Sequence, residues 1–342
     1  MAVSSDADGS EIDDLLRCAH RAFVARAFVE LSLPDLLGDQ SMPLADLASS
    51  TRSDRDSLRR LLQAAAATGL CTGTDGNYAL TAAGRQLRSD ATGAASRWLL
   101  LTTSPWMVRP WEQLATAVRS GRPSFREVHG QGFWEYVATH ADEASMFDAA
   151  MTSGGLARAD DLLAALDWSA VDVVIDVGGG QGLLVASILG RAERLRGVVA
   201  DRAEVVAAPV PAALALGSRI EMVASDFFAV VPGGGDVYVL SRILHDWPDA
   251  DAAVILRRCR AAMSADARLC VLEQIAPDAS DLDRNDQFDL AAKDLNMLVL
   301  VGGQERTLIQ YTNLLNAAGF EIDALHHGDA CDVIQARPVP DA

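Results

Sequence analysis

The sequence predicts an α/β fold: an open, mostly parallel sheet with an antiparallel edge pair, preceded by an α-helical region of winged-helix shape. The main observation is a change of period at Val171. From there, short and nearly continuous apolar runs recur at Asp172–Val177, Gly197–Ala200, Ile220–Val223, Asp236–Leu240 and Leu269–Leu272. Such runs mark strands buried on both faces. Helical segments are expected between these five, and alternating strands and helices imply a parallel sheet covered on both sides. The second observation is the pair Phe320–Leu325 and Asp332–Ala336, whose short connection through Gly328 and Asp329 leaves no room for a helix. These two should pair antiparallel at one edge. The third is an N-terminal series of three helices followed by Asp75-Gly76 between two short apolar runs, a hairpin signal.

In chain order, Ile12–Leu37 carries apolar residues at helical spacing and ends at Pro34 and Gly38. Pro43–Ala48 reads as a short helix. Ser53 or Asp54 can cap a third helix with Leu58, Leu61, Leu62 and Ala65 on one face. Leu70–Thr72 and Tyr78–Leu80 form the hairpin arms. Residues 94–168 read as further helices, with Phe133, Trp134, Val137, Phe147 and Met151 on apolar faces. The expected division is 11–100 for the helical region, 101–169 for connecting helices and 170–342 for the sheet domain.

Composition removes several classes of function. The 342 residues are half apolar, enough for a sizeable core, and the net charge is −18. So acidic a chain is repelled by phosphate backbones, which argues against nucleic acid as a partner. Ser41–Arg97, the region that could read DNA, holds seven Arg against five Asp, a weak footprint for that task. Dimerisation is the expected use of this region. No stretch approaches the roughly 18 apolar residues of a membrane span. Met1–Asp14 lacks the basic and apolar regions of a secretion signal. Five scattered cysteines without a Cys-x-x-Cys argue against a disulfide framework or a zinc site. A soluble cytoplasmic protein without a metal is expected.

The chemistry gathers where the strands end. Asp176-Val177-Gly178-Gly179-Gly180-Gln181-Gly182 follows the first strand. The place of the third glycine in a nicotinamide fingerprint holds Leu183, and no P-loop Lys-Ser/Thr follows. A nucleoside with a small charged tail fits such a turn better than a dinucleotide. Asp201 ends the second strand, 19 residues after Gly182, where a carboxylate can accept from ribose hydroxyls. Asp226, followed by Phe227 and Phe228, ends the third and suits an adenine. The fourth strand ends near Ser241 and leads into Leu244-His245-Asp246-Trp247, so His245 lies over the same rim. Either Glu273, at the end of the fifth strand, or Glu305, in Gly302–Thr307, can bond one nitrogen of His245 and set its tautomer.

On Asp176–Gly182, Ser225–Phe228, Leu244–Trp247 and Gly302–Thr307, the chain resembles the S-adenosylmethionine-dependent O-methyltransferases of the caffeic-acid-methyltransferase-like class. It is most similar to the bacterial members that act on secondary metabolites. The resemblance spans about Ile12 to Arg337. It implies a Rossmann-like methyltransferase domain behind a winged-helix-like dimerisation domain, and a homodimer. It implies S-adenosylmethionine as cofactor and S-adenosylhomocysteine as product. Asp176, Gly178, Gly180 and Asp201 would hold the methionine part and ribose, and Asp226 and Phe227 the adenine. Ser241 stands where family members often have Lys. His245 would be the general base flanked by Glu273 and Glu305, with Asp246 beside it. Phe147, Met151 and Met297 match positions lining the acceptor pocket.

The expected reaction is methyl transfer to a hydroxyl, most simply a phenol, of an aromatic secondary metabolite. A free phenol has a pKa near 10, judged by tyrosine, so a base must take its proton near neutrality. Two alternatives stand beside it. One is a relative that keeps the cofactor but performs hydroxylation, decarboxylation or cyclisation. The other is a winged-helix regulator that senses a small molecule.

Overall fold

The computed structural model describes residues 7–91, 95–152, 155–277 and 284–340. The first six residues of the polar N-terminal stretch lie outside these. The chain divides into two compact units, Met1–Val108 and Arg109–Ala342.

In the first unit, helices Ala7–Glu30, Leu44–Thr51 and Arg55–Ala67 pack around Phe28, Leu33, Leu47, Leu58 and Leu62, all buried. Asp54 caps the third helix by accepting from the Ser57 amide at 2.8 Å. Strands β1 (Met42–Pro43), β2 (Cys71–Thr74) and β3 (Asn77–Leu80) form a small sheet in the order β1-β3-β2. The β2–β3 turn places Asp75 and Gly76 at φ 51° and 77°, the primed geometry that matches strand twist. The two-residue strand β1 is not legible in the sequence, because so short an edge carries no period.

The second unit is built on β4 (Val173–Val177), β5 (Arg196–Asp201), β6 (Ile220–Ala224), β7 (Val237–Ser241), β8 (Arg268–Glu273), β9 (Phe320–His327) and β10 (Asp332–Pro338). Their order is β6-β5-β4-β7-β8-β10-β9, with β4 to β8 parallel and β10 antiparallel to both β8 and β9. Successive residues feed opposite layers. Tyr238 and Leu240 join one core with Ile255, Leu256 and Leu315, whereas Val237 and Val239 join another with Val185, Ile188 and Leu189. Both faces are therefore apolar, which produces the continuous runs.

One expectation fails. Residues 225–236, between β6 and β7, contain no helix. Pro232 and Gly233-Gly234-Gly235 deny the segment a helical stretch, and it crosses as a loop with one turn closed onto the Asp226 carbonyl by the amides of Ala229 and Val230. The crossing matters for function. The chain winds outward from β4 to β6, then returns to β7 on the other side of β4. Open α/β sheets bind ligands at the strand carboxyl ends beside such a reversal.

Candidate active site

The carboxyl end of β4 leads into the glycine turn. Gly178 has φ 74°, and a Cβ there would collide with Ile243 and meet the Phe227 ring at 3.5 Å. Only glycine fits both the left-handed backbone and the close approach. The Gly180 amide donates to Asp201 Oδ2 at 2.8 Å, and the Arg202 amide to Asp201 Oδ1 at 2.7 Å. Asp201 thus fastens the turn to the end of β5 and keeps two further acceptor sites. Burial raises its pKa, against those bonds.

Asp176 is 1% exposed, and neither carboxylate oxygen has a partner. Burial, then the Asp201 charge, pushes its pKa up to about 7, with Arg158 acting the other way. Arg158, on helix Gly155–Ala165, has a buried Nε without a partner. The Ser241 hydroxyl is likewise buried and unpaired. Asp226 is exposed, and its Oδ1 accepts from the Phe228 amide at 2.9 Å.

Beyond β7, Arg242 takes φ 57°, which is uncommon for a non-glycine residue, and the chain turns through Leu244–Asp246. His245 is 3% exposed. Its Nδ1 lies 3.1 Å from Glu305 Oε1, and its Nε2 lies 3.4 Å from Asp246 Oδ1. Glu273 is fully buried and does something else: its Oε1 accepts from the amides of Leu244 and His245 at 3.0 and 3.3 Å, and its Oε2 stays 3.9 Å from Nδ1. Of the two candidate partners, Glu305 bonds the ring and Glu273 bonds the backbone beneath it. Burial pulls the imidazole pKa down, but Glu273, Asp246 and the Glu305 bond outweigh it, and the pKa ends above its ordinary value. Burial opposes ionisation of Glu305, yet His245 leaves its pKa lowered. Glu273 is raised by burial, and Asp246 is raised by burial to about 6.

A cleft of about 470 Å³ is lined by Phe133, Trp134, Trp247, Leu300 and Val301, together with charged side chains that include Arg122 and Arg126. The Trp134 and Trp247 rings lie 6.3 Å apart and nearly parallel. Phe147 packs edge-on against Phe133 and Trp134 at 5.3 and 5.7 Å. Met151 shares its helix, Ala141–Thr152, and Met297 is buried one turn before Leu300. The cleft adjoins both the end of β5 and the His245 turn through its own walls: Trp247 follows His245 by two residues, and Arg202 beside Asp201 lies 5.6 Å over the Trp134 ring.

The family model for the O-methyltransferase domain matches residues 111–321, and that for the O-methyltransferase dimerisation domain matches 14–90. The chain belongs to the S-adenosylmethionine-dependent O-methyltransferase family. It is 34% identical to the mitomycin biosynthesis 6-O-methyltransferase of Streptomyces lavendulae, over 91% of this chain and 89% of that one. It is 32% identical to the aclacinomycin 10-hydroxylase of Streptomyces purpurascens, over 87% and 80%. A solved O-methyltransferase from neocarzinostatin biosynthesis, in complex with S-adenosylmethionine and a hydroxynaphthoic acid, matches with a TM-score of 0.77 and 31% identity over 93% and 96%.

The methyltransferase's own residues fit that cofactor. A methionine tail carries an ammonium and a carboxylate. Asp176, at the end of β4, offers unpaired carboxylate oxygens, and Arg158, on helix Gly155–Ala165, an unpaired Nε donor. Arg158 and Arg242 escaped the sequence reading. Arg158 shares a helix face with buried Leu162, four residues on, and a charge on an apolar face is the signal that could have found it. Arg242 carries no comparable signal. Among the described residues, no helix is long and apolar enough to cross a membrane.

Proposed function

We propose that the methyltransferase transfers a methyl group to a phenolic hydroxyl of an aromatic secondary metabolite, with His245 as general base. The observation that carries this reading is the buried His245–Glu305 pair at 3.1 Å. S-adenosylmethionine supplies an electrophilic methyl on a sulfonium. Gly178, Gly180 and Asp201 hold its methionine part and ribose, helped by Asp176, Arg158 and Ser241. Asp226 and Phe227 hold the adenine.

With Nδ1–H donated to Glu305, the imidazole keeps its lone pair on Nε2. The acceptor's O–H gives its proton to Nε2 as the oxygen attacks, and the imidazolium that forms is stabilised by Glu305 and Glu273. Such help is worth about 10²–10⁴-fold. Asp246, beside Nε2, orients the hydroxyl. Phe147, Met151 and Met297 shape the acceptor pocket, and the Trp134–Trp247 walls suit a planar aromatic ring. The N-terminal unit supports a homodimer.

The test is His245→Ala with labelled cofactor and a panel of phenols. Turnover should fall by about 10²-fold or more while cofactor affinity stays near normal. Near-normal turnover on an unactivated phenol at neutral pH would make His245 structural. Conversion of an acceptor without release of S-adenosylhomocysteine would instead point to the changed chemistry that the hydroxylase relative exemplifies.

A further inference from the structure

The loop Gly302–Thr307 contributes Glu305 to the site, but its neighbours are used just as tightly. Arg306 is fully buried, the largest side chain in the fully buried set. Its Nη1 donates to the Leu244 carbonyl at 2.6 Å and its Nη2 to the Trp247 carbonyl at 2.7 Å. These two carbonyls bracket His245 and Asp246. Nε and Nη2 also donate to Asp249 Oδ1 at 3.0 and 2.8 Å. Two residues earlier, the Gln304 amide donates to the His245 carbonyl at 2.9 Å. At Gly303, a Cβ would collide with that same carbonyl and stand 2.8 Å from the Trp247 nitrogen.

The turn needs such support. Its internal bonds are long, 3.2 Å from the Asp246 amide to the Ile243 carbonyl and 3.3 Å from the Trp247 amide to the Leu244 carbonyl. A plain ion pair to Asp249 does not account for burying Arg306, because the Asp249 side chain is 70% exposed and screened pairs contribute little. The partners that justify a buried guanidinium are the two carbonyls. A planar fork gives each carbonyl its own nitrogen, whereas a lysine ammonium has a single nitrogen to divide between them.

We infer that Arg306 is a positioning residue for His245, and that Gly303 is its steric counterpart. The guanidinium draws the turn Leu244–Trp247 toward the loop, and the bare Gly303 backbone lets it come close enough for Glu305 to fix the imidazole. The inference rests on the reading of His245 as base, and its consequence for the reaction is geometric. A misplacement of about 1 Å can cost a reaction roughly 10²-fold.

The experiment compares Arg306→Lys, Gly303→Ala and His245→Ala with the wild type in the full chain. It follows cofactor binding by calorimetry, kcat and acceptor KM, and the ¹⁵N signals of the His245 ring. In both loop variants kcat should fall by about 10²-fold, with cofactor affinity within about two-fold and a smaller change in KM. The loss should shrink for an acceptor whose hydroxyl is already ionised. The Nδ1 signal should move toward that of a free imidazole as the Glu305 bond loosens. Gly303→Ala keeps every charge, so it decides the matter if Arg306→Lys does not fold. A folded loop variant with a wild-type Nδ1 signal and a wild-type pH profile overturns the inference, whatever its Tm. Normal turnover in His245→Ala would instead overturn the general-base reading, while the ring signals would still report whether the loop holds His245.

Discussion

Replacing Glu305 by Gln tests the electrostatics of the base with little change of shape. The amide oxygen can still accept from His245 Nδ1, so the ring keeps its orientation, but the anion is gone. Both side chains are buried, 4% and 2% exposed, and stand 3.1 Å apart. A hydrogen bond to a charged group contributes roughly 1.5–3 kcal/mol. Losing that charged partner should therefore lower the imidazole pKa. Glu273 and Asp246, which also raise it, stay in place.

The sign follows from which form works. Neutral imidazole is the base, and its pKa in the folded chain lies above the ordinary 6.5, so wild-type activity falls as pH drops through that raised value. Glu305→Gln should move this acid limb to lower pH. It should also lower the plateau by about 10-fold or more, because the forming imidazolium loses a counter-charge. The stability linked to the raised pKa is fully present below about 6.5 and is lost as pH rises through the folded value, so the variant's Tm deficit should be largest in mild acid. Asp246, pushed up to about 6, titrates in the same window. The ring is therefore followed by its ¹⁵N shifts alongside the rate profile. A titration midpoint and rate profile superimposable on the wild type would refute the reasoning.

Other outcomes follow from the same geometry. Asp201→Ala leaves the Gly180 and Arg202 amides without their acceptor and should weaken S-adenosylmethionine binding by about 1–3 kcal/mol; unchanged affinity by calorimetry would remove Asp201 from the cofactor site. Gly178→Ala puts a methyl into Ile243 at a left-handed φ of 74°, adding about 1–2 kcal/mol of backbone strain. It should lower both Tm and cofactor affinity, and a normal Kd would show that the turn does not approach the cofactor closely. The helix Ala7–Glu30 leaves Ile12, Leu15, Leu16 and Phe23 at least half exposed, so sedimentation should find a dimer; a 36.3 kDa monomer at micromolar concentration would contradict it.

Much of the fold is legible in the chain because local pattern and burial coincide. Strands sandwiched between two helical layers must be apolar on both faces, so β4, β7 and β8 announce themselves. Asp54 marks a helix start and Asp75-Gly76 a hairpin through backbone chemistry confined to a few residues. The acids at strand ends are legible for a related reason: once the strands are placed, topology fixes which residues reach the rim. Where the pattern is absent, reading fails. The two-residue β1 has no period, and the segment 225–236 owes its helix-free crossing to a proline and three glycines rather than to alternation.

The tertiary structure decided the rest. The sequence leaves Glu273 and Glu305 equal as partners of His245, 28 and 60 residues away, and only the fold hands the ring to Glu305 and the backbone amides to Glu273. Arg242 and Arg306 carry no local mark of their place. Arg306 meets carbonyls 62 and 59 residues distant. The cleft, too, joins Trp134 to Trp247 across more than a hundred residues. Periodicity records which face of an element is buried. It says nothing of which distant group lies opposite, because that depends on how helices and loops close over the sheet.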